Sequence, residues 1–140
     1  MTQGRILALD LGKRRIGLAL SDELGFTAQG LKTLERTTIR EDLAHLAELA
    51  SGNNVTLILM GNPLHMSGRE GRGAAHAREF GERLEAFTGI PFQLWDERLT
   101  TVQAQRVLRE SGISIEKRAK AVDRLAAVIL LESYLDSRQS

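Results

Sequence analysis

The run Arg5–Leu11, RILALDL, is apolar at odd and even positions alike and is broken by one carboxylate, Asp10. A strand that alternates apolar and polar can leave one face in water. A strand apolar on both faces needs packing on both. The run therefore predicts a central strand in a sheet covered by helices on its two faces, with an acid at the strand's carboxyl end. A chain of 140 residues is long enough to bury such a core, and its length fits a single domain over 1–140.

The rest of the chain supplies neighbours for that strand. Gly12-Lys13 makes a turn, and Arg15 to Ser21 returns as a hairpin partner. Gly25 and Gly30 bracket a third strand ending near Leu34. The period then changes: Leu43, Leu46, Ala47 and Ala50 recur at helical spacing, with Thr38 as N-cap and Gly52 as stop. Val55 to Met60 reads as an unbroken apolar strand, and Gly73 to Phe87 as a helix burying Ala77, Phe80, Leu84 and Phe87. Phe92 to Trp95 is a short strand, and Thr101–Arg109 and Lys120–Leu135 are helical. A hairpin meander followed by strand–helix alternation implies an α/β fold. Its five-stranded sheet is mixed, an antiparallel meander plus parallel strands, flanked by helices. That is the element order of the ribonuclease H-like fold.

Composition excludes several classes. There is no cysteine, so disulfides and thiolate zinc sites are absent, which agrees with a reducing compartment. The first residues carry their charges after the apolar run, as a strand does and a secretion signal does not. No apolar stretch approaches the ~20 residues of a membrane span, so the expected location is cytoplasmic. Lys and Arg number 19 against 18 Asp and Glu, so net charge argues neither for nor against nucleic acid. Three segments are locally basic: Lys13-Arg14-Arg15, Arg69 with Arg72, and Lys117-Arg118 with Lys120. They form a rim only if the fold brings them together; scattered solvated charges are the equal alternative.

Acids stand in apolar surroundings at Asp10, at Asp96 and Glu97 just past the strand Phe92–Trp95, and at Asp123, three and four residues before Ala126 and Ala127. At that spacing Asp123 shares a helical stripe with packing residues. Carboxylates gathered near a core repel one another unless a cation sits between them. The chemistry that needs this set is phosphodiester hydrolysis with two Mg²⁺ or Mn²⁺ ions ~3.5–4 Å apart, held by hard oxygen donors. Each acid has another reading. Asp10 can start the hairpin turn, Asp96 can cap a helix near Leu99, Glu97 can pair with Arg98 or Arg124, and Asp123 can cap a helix starting at Arg124.

The segments LALDLGKRRIGLALSD, GNPLHMSG, WDERLTT and AVDRLAAVILLESYL, in this order, resemble the YqgF family (RuvX-like). Its members are small bacterial relatives of the Holliday-junction resolvases, regarded as nucleases of the precursor of small-subunit ribosomal RNA. The resemblance spans nearly the whole chain. It implies a ribonuclease H-like fold, with catalytic metal ligands at Asp10, Glu97 and Asp123. It also implies a part in ribosome biogenesis, at the 5′ end of pre-16S rRNA and on pre-ribosomal particles. One segment departs from the family pattern: Asn62 replaces an apolar residue, and Ser67 stands where an acidic or amide residue is expected before Gly68.

The loop Gly61–Gly73 holds four glycines with Arg69 and Arg72. It can hold a phosphate at a helix N-terminus or simply connect strand to helix. Lys13, Arg14 and Arg15 lie close enough to Asp10 in sequence to touch a substrate phosphate, or are equally a polar hairpin tip, and Arg98 adjoins Glu97. Asp96 can orient the metal ligands from behind. His45, His65 and His76 have no metal-ligand spacing, Trp95 reads as packing at a strand end, and Tyr134 as core or rim. The expected partner is nucleic acid, RNA ahead of structured DNA, with no membrane and with the chain a monomer or homodimer. Three rivals remain: a four-way DNA junction resolvase, which would act as a dimer; an actin-like ATPase or sugar kinase, whose D-x-G-x-x-x-x-G opening is similar but which needs two such domains where 140 residues supply one; and a non-catalytic RNA-binding assembly module.

Overall fold

The computed structural model describes residues 4–62, 72–96, 110 and 115–139. Five strands form one sheet: β1 (Arg5–Leu11), β2 (Arg15–Ser21), β3 (Ala28–Glu35), β4 (Val55–Asn62) and β5 (Phe92–Asp96). Their order across the sheet is β3-β2-β1-β4-β5, so the strand that is apolar on both faces is central. β1 runs antiparallel to β2, with Leu9 opposite Leu18, and parallel to β4, with Leu9 beside Met60. β5 extends the parallel half from β4. Among the described residues the helices are α1 (Ile39–Gly52), α2 (Arg72–Thr88) and α3 (Ile115–Gln139). The expected helix at 101–109 lies outside them.

Strand alternation divides the interior into two cores. Leu7, Leu9, Ile16, Leu18, Ile58 and Met60 point to the side where Leu43 and Leu46 of α1 and Ala77, Phe80 and Leu84 of α2 close over them. Ile6, Ala8, Ala19 and Leu59 point the other way, under Ala127, Leu130, Leu131 and Leu135 of α3. Ala8 and Ala19 are a direct cross-strand pair. Their small side chains let α3 settle low on the sheet, and each leucine it buries contributes ~1.5–3 kcal/mol.

Helix ends depart from the sequence reading in instructive ways. Thr38 caps α1 as expected, its hydroxyl accepting the Glu41 N–H at 3.1 Å. Gly52, however, stays inside the helix. The stop is Asn53, whose N–H reaches the Ala50 carbonyl, followed by Asn54 at φ +52°, a left-handed conformation that Asn tolerates better than most residues. Phe87, expected in the core, is 56% exposed. The inward row in the last turns of α2 is Leu84 and then Thr88, whose hydroxyl donates to the Leu84 carbonyl at 2.8 Å, and Phe87 falls to the margin. α3 starts at Ile115 and runs to Gln139, longer at both ends than Lys120–Leu135.

Candidate active site

The carboxyl ends of β1, β4 and β5 point the same way because these strands are parallel, and such edges are where open α/β sheets bind ligands. Asp10 lies at this edge, half-buried. Alternation sets it on the same face as Ile6 and Ala8, beneath α3. Its cross-strand neighbour is Gly17, which has no side chain to crowd the carboxylate.

α3 is oriented to bring its earlier turns toward this edge. Tyr134 and Arg138, near its end, line a cleft with Gly4 and Ile6 at the start of β1. The helix therefore runs back along the sheet, antiparallel to β1. Arg124 donates to the Gly30 carbonyl at 3.0 Å, tying the helix to β3. A Cβ on Gly30 would meet that guanidinium at 2.7 Å, so the glycine makes the room. Asp123 lies inside α3, well past its first turn, which removes the reading in which it caps a helix starting at Arg124.

β5 ends at Asp96, paired with Asn62 at the last register position of β4. It stands two strands, ~10 Å, from β1. Glu97 and Arg98 follow it in the chain and lie outside the described residues, as does Arg69; Arg72 is the first residue of α2. The structure thus puts Asp10 and the end of β5 at the same carboxyl edge, two strands apart, and ties the turn of α3 that follows Asp123 to β3 on the other side of β1. Among the described residues no three His, Asp or Glu side chains form a metal cluster. The donor available at the edge, a half-buried carboxylate beside a glycine, is the hard oxygen ligand a divalent cation such as Mg²⁺ takes.

Lys13 and Arg14, both exposed, sit at the tip of the β1–β2 turn, which is held from two sides. Within it, the Gly12 N–H donates to the Arg15 carbonyl at 2.9 Å. From beyond β3, Arg36 donates through its guanidinium to the Gly12 carbonyl at 2.9 Å and through its backbone N–H to the Arg14 carbonyl at 2.9 Å. Arg36 is itself fixed by Asp42, 1% exposed, at 3.1 Å, and lies over the Phe80 ring at 5.6 Å. Asp42 also accepts the Thr37 N–H at 3.1 Å. Sequence reasoning missed both residues. An acid in the first turn of a helix reads as a partner of the helix dipole, and nothing local marks Asp42 as buried.

Of the other sequence candidates, His45 and His76 are exposed. Trp95 packs edge-on against Tyr134 at 5.1 Å and donates to the Ser133 hydroxyl at 3.2 Å. Tyr134 is core, its hydroxyl donating to Gln93 at 3.2 Å. Among the described residues no helix is long and apolar enough to cross a membrane.

Comparison with known proteins gives a consistent set of similarities. A family model described as "RuvX: Holliday junction resolvase" matches residues 4–137. A protein of Koribacter versatilis named "Putative pre-16S rRNA nuclease" is 53% identical over 135 residues, 96% of this chain and 88% of the relative. One of the same name from Symbiobacterium thermophilum is 46% identical over 134 residues, 96% and 93% of the two chains. Among solved structures, fowlpox virus resolvase bound to Holliday junction DNA superposes with TM-score 0.62 at 13% identity, covering 97% of this chain and 99% of that one. Thermus thermophilus RuvC with a Holliday junction gives 0.59 at 12%, covering 99% and 97%. At these identities the structures establish the ribonuclease H-like fold.

Proposed function

This chain belongs to the RuvX family and is a nuclease that hydrolyses phosphodiester bonds, and we propose that it processes the 5′ end of pre-16S ribosomal RNA in the bacterial cytoplasm. The observation that carries the reading is the half-buried Asp10 at the carboxyl end of the central strand, opposite a glycine and beneath the helix that bears Asp123. The names of the most similar relatives support RNA as substrate.

Asp10, Glu97 and Asp123 are the residues that would hold Mg²⁺ or Mn²⁺, two ions in the full reading. Bound there, the metal supplies Lewis-acid stabilisation and lowers the pKa of a water nucleophile. The protein's own part is placement. β1 fixes Asp10 through its pairing with Gly17 of β2 and, one residue earlier, through Leu9 beside Met60 of β4, and the Arg36 clamp fixes the turn that follows it. Lys13 and Arg14 at that turn, with Arg69, Arg72 and Arg98, would take backbone phosphates on either side of the cut, positioning the strand without reading its bases. Asp96 would orient a metal ligand from behind.

A second reading keeps the chemistry and changes the substrate to a four-way DNA junction. The family description and the two resolvase complexes favour it; it requires a dimer, since two strands are cut symmetrically. The deciding experiment sets labelled pre-16S rRNA, single-stranded RNA and a four-way DNA junction against wild type and Asp10→Asn, with Mg²⁺, Mn²⁺ or EDTA. RNA cleavage is expected with metal. It should fall by more than ~100-fold in the mutant, since several kcal/mol of transition-state stabilisation rest on the metal, at 1.36 kcal/mol per tenfold. Junction cutting without RNA cutting moves the substrate to DNA. Folded protein that cuts nothing returns the chain to the class of RNA-binding assembly modules.

A further inference from the structure

β1 ends between two unlike surfaces. Asp10 faces α3, whereas Leu11, the next residue, faces α1 and α2. On Leu11's side a groove of about 630 Å³ opens at the same edge of the sheet, within the size range of pockets that enclose a small ligand. Leu11, Ile39 and Phe80 give it an apolar floor; Lys13, His76 and Arg83 stand around it, and Glu79 is the acid in its lining. Ile39 is 40% exposed at the first position of α1, an apolar side chain left toward the opening. Among the described residues no ion pair engages Lys13, His76 or Arg83. Arg36 lies over the Phe80 ring at 5.6 Å, its guanidinium fixed by Asp42 and the Gly12 carbonyl.

We propose that this groove is a subsite for one unpaired nucleotide of the RNA strand cut at Asp10, seated within a nucleotide or two of the scissile phosphate. The inference rests on the nuclease reading and adds to it a place where the strand is held. Charge complementarity selects the occupant. Two cations and an imidazole around an apolar floor suit a base flanked by phosphates, and a fixed guanidinium plane is a surface on which bases stack. A duplex keeps its base faces inside the stack and has nothing to offer such a floor. The strand would pass over the carboxyl edge of β1, from the α3 face to the α1/α2 face, with Lys13 at the crossing. The enzyme would then require a locally unpaired stretch beside its cut and would tolerate many sequences there, since stacking is not base-specific.

The test uses the full chain carrying Asp10→Asn, so that bound RNA is not cut, with single-stranded RNA containing 4-thiouridine at successive positions around the cleavage point. One position should photocrosslink to the peptides bearing Ile39, His76 or Phe80. Replacing that nucleotide by an abasic residue should weaken binding about tenfold. Arg83→Ala with His76→Ala, both on exposed positions, should weaken it and lower the salt slope by about 1 for each phosphate no longer neutralised. The abasic and protein changes should also combine less than additively. Additive effects, or crosslinks confined to other peptides, overturn the subsite while leaving the nuclease reading intact. If wild type neither binds nor cuts RNA, that reading fails first and takes the subsite with it.

Discussion

The meander turns twice, and the two turns are built on opposite principles. The β2–β3 turn, at the amino edge of β1, is closed by its own residues. The Asp22 carboxylate accepts the N–H groups of Phe26 at 2.7 Å and Thr27 at 3.1 Å, and Gly25 takes φ +78°. It holds up Leu24 and Phe26, 67% and 64% exposed. The β1–β2 turn, at the carboxyl edge, borrows its rigidity from Arg36, which lies 24 residues beyond Gly12 and is anchored by a buried acid on α1. It holds up Lys13 and Arg14, beside Asp10. The turn beside the proposed site thus depends on the tertiary fold and the remote turn does not. A locally closed turn can form early and tolerate change around it. A turn clamped from α1 reaches its final geometry only when helix and sheet have docked, so the site edge is assembled with the domain.

Arg36→Ala should break this contrast most severely. It leaves Asp42 buried with its charge partner gone, a situation that costs ~3 kcal/mol or more, and it frees the turn from Gly12 to Arg14. Urea unfolding should show the loss, and nuclease activity measured where the variant is still folded should fall as well. Asp22→Ala should loosen the other turn with a smaller loss of stability and unchanged cleavage. Equal effects of the two variants on cleavage would mean that turn rigidity at the carboxyl edge is irrelevant to the site.

Gly12→Ala sharpens the same comparison with a milder change. A Cβ there would lie 2.6 Å from the Arg15 carbonyl oxygen. That clash is with backbone and can be relieved only by opening the turn, at ~1–3 kcal/mol. Asp10 is two residues away, so cleavage should drop with stability. A Gly12→Ala protein of wild-type stability and activity would show that the turn relaxes freely and that Arg36 does not control it.

What can be read from the sequence follows the same division between local and remote. The strand apolar on both faces, the hairpin, the helical periods of α1 and α2 and the Thr38 cap are all encoded within a few residues, and all are found. The Asp22 turn is equally local, an Asp three residues before a glycine, but it carries no chemistry that would single it out. Arg36 and Asp42 cannot be read. Six residues apart on either side of a helix cap, they look like two solvated charges until α1 docks and buries one of them. The first carboxylate of the proposed site stands out for a related reason: Asp10 interrupts a run that is otherwise fully apolar, and an acid there is conspicuous without knowledge of its neighbours. Phe87 shows the converse, an apolar residue at nearly the right period that the end of α2 leaves outside.

The smallest predicted effect concerns pH. The Asp22 carboxyl is held below 3.8, its ordinary value, first by the hydrogen bond from the Thr27 N–H; desolvation opposes this, and the N–H groups of Phe26 and Gly25 lower it further. A carboxylate with a depressed folded-state pKa adds stability that is present above its unfolded value and is lost as pH falls through the folded one. The β2–β3 turn should therefore be intact at neutral pH, begin to weaken below about pH 4, and loosen fully only below the folded pKa. Amide resonances of Phe26 and Thr27 followed by NMR should titrate with a midpoint under 3.8. Asp22→Asn should remove that titration and leave the amides of the β1–β2 turn unmoved. Were the Gly12 and Arg14 amides to shift with the same midpoint, the two turns would be coupled through β2, and the independence of the remote turn from the site edge would be lost.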